Sequence, residues 1–262
     1  ETGFYHSDLP LLVSNRMGNW FTPNVEAYVS KLYGNFDRVL APSRVMADKL
    51  RRLGVRDVHV QPLGVDLATF HPSKRDANVR AELGIADTTR LLIYAGRGSR
   101  EKNLPVLLAC MQQLGHPYHL LLVGSGMPAN VPDNVSVIGQ FCPPEEVARL
   151  MASADLLVHA GDQETFGLVI LEAMASATPV VAVRAGAFGE IVNDQCGRLC
   201  TANDAQAMAT AVREAFEAGV RKLGAQARRH VEQHYSWDNV VAGLLQHYQA
   251  VLGHQPLVRA HA

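Results

Sequence analysis

Short apolar runs alternate with amphipathic stretches along most of the chain, and this alternation predicts a parallel sheet wrapped by helices. The clearest runs are continuously apolar and bounded by Gly or Pro, as strands buried on both faces are. They predict strands at Leu91–Ala95, His119–Val123, Val135–Gly139, Asp155–Ala160 and Pro179–Val183. The predicted fold class is therefore α/β with parallel sheets.

Helix start signals lie between these runs. Pro143 and Pro144 precede two acidic residues and then an apolar stripe, which is the composition of a first helical turn. The next signal is Asp204, which can cap a helix that runs to about Ala218. Ser236 can likewise cap a last helix.

The elements before residue 69 form a smaller set. Strands are predicted near Phe4–Tyr5, Arg38–Ala41 and Val58–Gln61, with helices near Val25–Leu32 and Arg44–Leu53. A complete doubly wound half has about five or six strands, so we expect this part to be the end of a domain truncated at its N-terminus. The stretch 62–76 contains prolines and lacks periodicity, which predicts a boundary there.

Composition narrows the class of protein. The chain has 262 residues, of which 48% are apolar and 19% charged, as in a soluble globular protein. A net charge of −1 argues against a polybasic nucleic-acid binder, and no apolar run reaches the length of about 18 residues that a membrane span needs. Four cysteines are too few for a disulfide scaffold, so we expect a reducing, cytoplasmic compartment.

The densest cluster of candidate functional residues follows the predicted strand Asp155–Ala160. Glu164 stands just before a predicted helix, and Glu172 lies about two turns further on. Ligands of doubly wound sheets bind beyond the carboxyl ends of the strands, and a helix N-terminus behind Gly167 suits a phosphate. Two carboxylates that flank a diphosphate can accept hydrogen bonds from a sugar and a ribose, which describes a nucleotide sugar. The simpler alternative is a loop acid with an ordinary helix glutamate.

Residues 164–191 resemble the nucleotide-sugar motif of retaining glycosyltransferases of family 4, which have the two-domain GT-B fold. Further segments that resemble the family are Tyr94–Leu104, Leu121–Gly126, Leu40–Ser43, Pro62–Asp66 and Phe70–Pro72. The resemblance implies two Rossmann-like domains, the N-terminal one incomplete. It assigns 1–68 to the acceptor-side domain, 69–235 to the donor-binding domain, and 236–262 to a C-terminal helix that crosses back. The donor would lie in the cleft between the domains.

A second pair of residues supplies positive charge. Cleavage of a sugar–diphosphate bond leaves negative charge on the leaving group, which a cation must stabilise. The sequence has no Asp-x-Asp motif for a metal, whereas Arg97 and Lys102 follow a predicted strand. In the family the matching Arg and Lys contact the diphosphate, so the resemblance implies a catalytic role for both, with no metal and no other cofactor. A solvated basic loop is the alternative.

The resemblance implies further site residues. His6 matches a histidine that faces the donor sugar and is important for transfer, although a histidine after a strand is more often structural. Together with Arg97, Lys102 and Glu164 it completes the predicted catalytic set. The predicted donor-binding residues, several of which act through backbone groups, are Gly96, Gly124, Ser125, Ile138, Phe166, Gly167, Leu168 and Glu172.

Other patterns carry less weight. Gly124–Ala129 matches a dinucleotide fingerprint by letter, but Pro128 denies it the helix that the mechanism requires. His230 and His234 share a helical face and lack a third ligand. The basic helix 44–53 is either a solvated face or a weak peripheral contact with anionic lipid at the inner face of a membrane.

These features favour a metal-independent retaining hexosyltransferase. GDP-mannose or a UDP-hexose is the expected donor, and a glycan or lipid is the expected acceptor. The alternatives are a nucleotide-sugar epimerase of the same architecture and a fragment that binds a nucleotide sugar without turnover. Ser176 and Ala177 replace the Cys-Gly that is common in the family, which leaves the identity of the donor sugar open.

Overall fold

The computed structural model describes residues 1–253, with the backbone alone at residues 15–17 and 19. Residues 254–262 of the predicted last part lie outside the described residues. Contacts divide the chain into two compact units, residues 1–64 with the chain from Trp237 onward, and residues 65–236. The functional assignments of the predicted parts stay predictions.

Nine strands and eleven α-helices make up the described chain. The strands are β1 Thr2–Phe4, β2 Arg38–Ala41, β3 Val58–Val60, β4 Arg90–Ala95, β5 Tyr118–Val123, β6 Val135–Ile138, β7 Leu156–His159, β8 Val180–Val183 and β9 Gly197–Cys200. The helices are α1 Leu9–Met17, α2 Thr22–Tyr33, α3 Arg44–Arg52, α4 Val79–Glu82, α5 Leu104–Leu114, α6 Pro144–Ser153, α7 Leu168–Ala175, α8 Phe188–Ile191, α9 Ala205–Ala218, α10 Val220–His234 and α11 Trp237–Leu252. None of the described helices has the length and apolar content to cross a bilayer.

The first unit is built on a parallel three-stranded sheet in the order β1-β2-β3. Tyr5, Val39 and Leu50 are buried in its core. Helix α1, which the sequence analysis did not predict, begins behind Asp8, whose carboxylate accepts a hydrogen bond from the backbone of Leu11. The unit therefore has the strand–helix alternation that the apolar pattern predicted, with one helix more.

Two basic side chains of helix α3 bind partners within the first unit. Lys49 Nζ lies 2.5 and 2.7 Å from the two carboxylate oxygens of Asp8. Arg51 donates to Asp48 and to the carbonyl of Val58, both at 2.7 Å. These bonds join α3 to the start of α1 and to β3. They leave fewer cations of α3 available to an external partner.

The second unit holds a six-stranded, wholly parallel sheet in the order β6-β5-β4-β7-β8-β9. Every residue of β5, β7 and β8 is buried, which explains why these strands are continuously apolar in sequence. All five strands predicted for this part are present, with each end within one residue of the prediction. Chain order reverses direction across the sheet between β4 and β7, and a crevice forms there at the carboxyl ends of the strands.

Candidate active site

A cavity of about 370 Å³ lies at the carboxyl ends of β4 and β5 in the second unit. The end of β4 and its loop line one side, and Val123–Ser125 after β5 line another. Val169 and Glu172 contribute from α7, the helix that follows β7. The cavity therefore occupies the reversal point where doubly wound sheets bind their ligands.

The two loops beside this cavity are held together through glycine backbone. Gly98 N–H donates to the carbonyl of Ser125 at 2.8 Å. A Cβ on Gly124 would lie 2.0 Å from the carbonyl oxygen of Gly96, and a Cβ on Gly98 would lie 2.1 Å from that of Gly126. Only glycine allows the two loops to come this close, so these glycines determine the shape of the cavity wall.

The N-terminus of α7 points free backbone N–H groups out of its first turn. Gly167 takes a left-handed conformation with φ of 90°, and no side chain caps the helix. A Cβ on Gly167 would lie 2.4 Å from the ring of Phe188. Leu168 and Val169 are the first helical residues, whose N–H groups have no partner within a helix, so this end favours an anion.

Glu172 is the acidic residue that lines the cavity. Burial raises the pKa of its carboxyl from 4.5 to about 7. No hydrogen-bond partner of this carboxyl occurs within the part of the chain that the structure describes. A half-buried carboxyl with no protein partner is suited to accept hydrogen bonds from hydroxyl groups of a ligand. Arg97 lines the same cavity and is exposed.

Lys102 and Glu164 are joined in an ion pair, although they are far apart in sequence. Lys102 Nζ donates to Glu164 Oε1, and both side chains are largely buried. The same carboxylate oxygen lies 3.5 Å from Nε2 of His159. Because Nδ1 of His159 accepts from the N–H of Gly161 at 3.1 Å, the ring proton is on Nε2 and faces the carboxylate.

His159 is neutral in this position. Its side chain is 1% exposed, and burial lowers the pKa of the imidazole to about 3, with Lys102 acting in the same direction. The positive charge beside Glu164 is therefore that of Lys102. The sequence predicts separate roles for Lys102 and Glu164, and it gives no local signal for His159, which lies on a buried strand.

The remaining predicted residues lie at different places. Gly96, Gly124 and Ser125 line the cavity, and the carbonyl of Ile138 accepts from the N–H of Gly124 at 2.9 Å. Phe166 is buried at 4% exposure beside Tyr235.

Two further predicted residues are not among those that line the cavity. Leu168 is 42% exposed at the first position of α7. His6 belongs to the first unit, where its ring stacks on Phe4 with centroids 5.2 Å apart.

Six residues of the cavity wall were not predicted as site residues. They are Ala95, Val123, Phe141, Cys142, Val147 and Val169. Phe141 is 84% exposed, although it is a large apolar side chain. It stands two residues before Pro143 and Pro144, where α6 begins, and these prolines are the sequence signal nearest to it.

Family models match most of the chain. Residues 76–237 match the model for glycosyl transferases group 1, and residues 2–69 match the model for glycosyltransferase family 4. A GDP-mannose-dependent alpha-(1-6)-phosphatidylinositol dimannoside mannosyltransferase of Mycobacterium tuberculosis is 33% identical over 80% of this chain and 57% of the relative. A GDP-mannose-dependent alpha-mannosyltransferase of Corynebacterium glutamicum is 30% identical over 86% of this chain and 55% of the relative. The chain spans about half the length of the curated relatives it matches.

Solved structures agree with this assignment. A sucrose-phosphate synthase from Thermosynechococcus elongatus has a TM-score of 0.82 and 26% identity, over 96% of this chain and 68% of that one. The Anabaena protein HepE, solved in complex with UDP and glucose, has a TM-score of 0.79 and 22% identity, over 97% of this chain and 71% of that one. These neighbours confirm the predicted α/β fold of the GT-B class. The chain belongs to the glycosyl transferases group 1 family, whose model matches residues 76–237.

Proposed function

We propose that this chain carries the donor-binding machinery of a hexosyltransferase that uses a nucleotide-diphosphate sugar. The proposed reaction moves the hexose to an acceptor hydroxyl with retention of configuration and without a metal. The observation that carries the proposal is the carboxyl of Glu172, half-buried and without a protein partner, in a cavity that Arg97 also lines. Relatives named for GDP-mannose and a fold neighbour solved with UDP support the class of donor.

In this proposal the nucleotide enters the cavity with its ribose hydroxyls at Glu172. The diphosphate then lies by the N-terminus of α7 and by Arg97, where backbone N–H groups and a guanidinium offset its charge. The glycine loops at Gly96 and Gly124 bring backbone close to the ligand without side chains in the way. The base lies on the side of the cavity that Phe141 lines.

The ion pair between Lys102 and Glu164 supplies the two groups that act on the hexose and on the diphosphate of the donor. A diphosphate competes with Glu164 for Lys102, so donor binding frees carboxylate oxygens to accept hydrogen bonds from the hexose hydroxyls. The neutral imidazole of His159 has its Nε2 3.5 Å from the same carboxylate oxygen and adds no charge there. Lys102 and Arg97 then stabilise the charge that develops on the departing diphosphate.

The proposed transfer needs no protein nucleophile. The acceptor oxygen forms a bond to the anomeric carbon on the face that the diphosphate leaves, while the bond from that carbon to the phosphate oxygen breaks. The acceptor proton passes to the departing phosphate, so atoms and charge balance. The configuration at the anomeric carbon is retained because entry and departure occur on one face.

The proposal also includes a role for His6, which rests on the resemblance, and a location for the protein. His6 keeps its predicted role toward the donor sugar, and transfer by His6→Ala compared with wild type tests it. The cytoplasmic location with weak peripheral membrane contact also stays a proposal. The internal bonds of Lys49 and Arg51 reduce the basic charge that α3 can offer to lipid.

Transfer assays test the reaction directly. The protein is incubated with GDP-mannose or UDP-glucose and with an inositol-lipid acceptor of the kind printed in the name of the mycobacterial relative. Proton NMR of the product gives the anomeric configuration, and a parallel reaction contains EDTA. The proposal expects an α-linked product with unchanged yield in EDTA. A β-linked product or loss of transfer in EDTA contradicts it, and an epimerised sugar from donor alone favours the epimerase.

A further inference from the structure

A second cavity, of about 400 Å³, lies at the opposite edge of the same sheet. It is lined where β4 and β7 begin, by Arg90 and Asp155, whereas the donor cavity lies where the strands end. The other lining residues come from the 75–80 segment, the turn before β4 and the junction of α9 and α10. No residue lines both cavities.

The charge that lines this second cavity is mostly arginine. Four arginines and three aspartates line it: Arg75, Arg80, Arg90 and Arg221, with Asp76, Asp87 and Asp155. Two of the aspartates are already neutralised by partners. Oδ2 of Asp155 lies 2.8 Å from a guanidinium nitrogen of Arg80. Oδ2 of Asp76 lies 2.7 Å from a guanidinium nitrogen of Arg149, a residue outside the cavity lining.

Three arginines therefore remain with only Asp87 to balance them. Within residues 1–253, Arg75, Arg90 and Arg221 form no ion pair. Arg75 and Arg221 are exposed, so the cost of leaving them unpaired in solution is small. Their convergence on one concave surface raises the local positive potential.

Arg90 is held in place by aromatic packing. Its guanidinium carbon lies 5.0 Å from the centre of the Tyr118 ring and 4.8 Å from that of Phe216. One nitrogen donates to the hydroxyl of Tyr118 at 2.5 Å. A guanidinium fixed in this way loses little rotamer freedom when it binds an anion, and its planar set of N–H donors matches phosphate oxygens.

We propose that this cavity binds a small phosphorylated molecule, with Arg75, Arg90 and Arg221 as its phosphate ligands. The hydroxyl groups of Thr88 and Thr89 line the same cavity and supply further donors. The volume exceeds what inorganic phosphate fills, so the ligand class is a phosphate monoester with a small organic part. This site is separate from the donor site and stands whether or not the proposed transfer reaction is correct.

Titration of the full chain with inorganic phosphate and with glucose 6-phosphate tests the site. The titrations are done at low ionic strength, because exposed charge pairs weaken as salt rises. The donor cavity also attracts phosphate, so each titration is repeated with UDP at saturation. We expect glucose 6-phosphate binding that UDP does not displace and that Arg97→Gln retains.

Arg75 and Arg221 are exposed, so we expect variants at these two positions to fold. Arg75→Gln and Arg221→Gln each lower the UDP-insensitive affinity about tenfold, since each removes one charge-assisted contact. Arg52→Gln, an exposed arginine of α3, is the matched control and leaves it unchanged. Binding that UDP displaces completely, or that neither variant weakens, overturns the proposal.

A last arm separates soluble ligands from lipid headgroups. Phosphatidic acid vesicles present the same phosphate monoester on a membrane surface. We expect glucose 6-phosphate to bind the protein. We expect no flotation of the protein with the vesicles that depends on Arg221. Flotation that Arg221→Gln abolishes, without binding of glucose 6-phosphate, overturns the assignment to a small molecule.

Discussion

The carboxyl of Glu172 predicts a specific dependence of stability on pH. Burial raises its pKa from 4.5 to about 7, with no cation or hydrogen bond to offset the cost. Between these values the native state holds a proton that the unfolded state has lost, so stability is full below 4.5 and falls as pH rises through about 7. At about 1.4 kcal/mol per pH unit, the loss amounts to about 3 kcal/mol, an upper bound because the carboxyl is partly exposed to solvent.

Glu172→Gln removes this penalty and keeps the shape of the side chain. Urea unfolding of wild type and variant at pH 5 and pH 8 measures it, with the exposed Glu217→Gln on α9 as the matched control. We expect the Glu172 variant to gain between 1 and about 3 kcal/mol over wild type at pH 8 and much less at pH 5. An equal difference at both pH values, or a variant less stable at pH 8, would refute the assignment of an unpartnered buried carboxyl.

Three further predictions follow from the same cavity and its surroundings. Affinity for a nucleotide should rise from pH 6 to pH 8 as Glu172 ionises, which calorimetry detects; a flat profile contradicts the role of its carboxylate. Lys102→Met should cost about 1–3 kcal/mol in urea unfolding by leaving Glu164 without its cation, and Glu164→Gln in the same chain should restore part of it; additive losses contradict the pairing. Gly124→Ala should lower the melting temperature by several degrees because of a backbone clash, whereas Gly189→Ala, which meets open space, should not; equal effects contradict the close approach.

The sheet of the second unit was predictable because its strands are buried on both faces. Continuous apolar runs such as Leu120–Val123 have no other stable environment than the interior of a parallel sheet. Helix α1 was missed for the opposite reason. Its sequence begins Leu-Pro-Leu-Leu-Val, a run without helical periodicity, and its N-cap is Asp8, which also pairs with Lys49 of a later helix.

Individual site residues were predictable where they belong to a short motif or follow the end of a strand, and the pairing between motifs was not. Glu164, Gly167 and Glu172 lie in a continuous segment, so their spacing alone indicated a phosphate site at a helix N-terminus. The ion pair of Glu164 with Lys102 depends on how two loops after different strands meet at the sheet edge. Contacts between loops that follow different strands cannot be read from the order of residues. The exposed Phe141 was not predicted as cavity wall because it too reaches the cavity from a separate loop.

The central claim is that the cavity of the second unit holds a nucleotide-diphosphate sugar through Glu172 and Arg97. Calorimetric titration of the chain with GDP-mannose and with UDP-glucose tests it most directly, in wild type, Glu172→Ala, Arg97→Ala and the control Glu217→Ala. We expect saturable binding of one of the two donors, at least tenfold weaker in the first two variants and unchanged in the control. Binding of the same strength in all four proteins, or of neither donor in wild type, would contradict it.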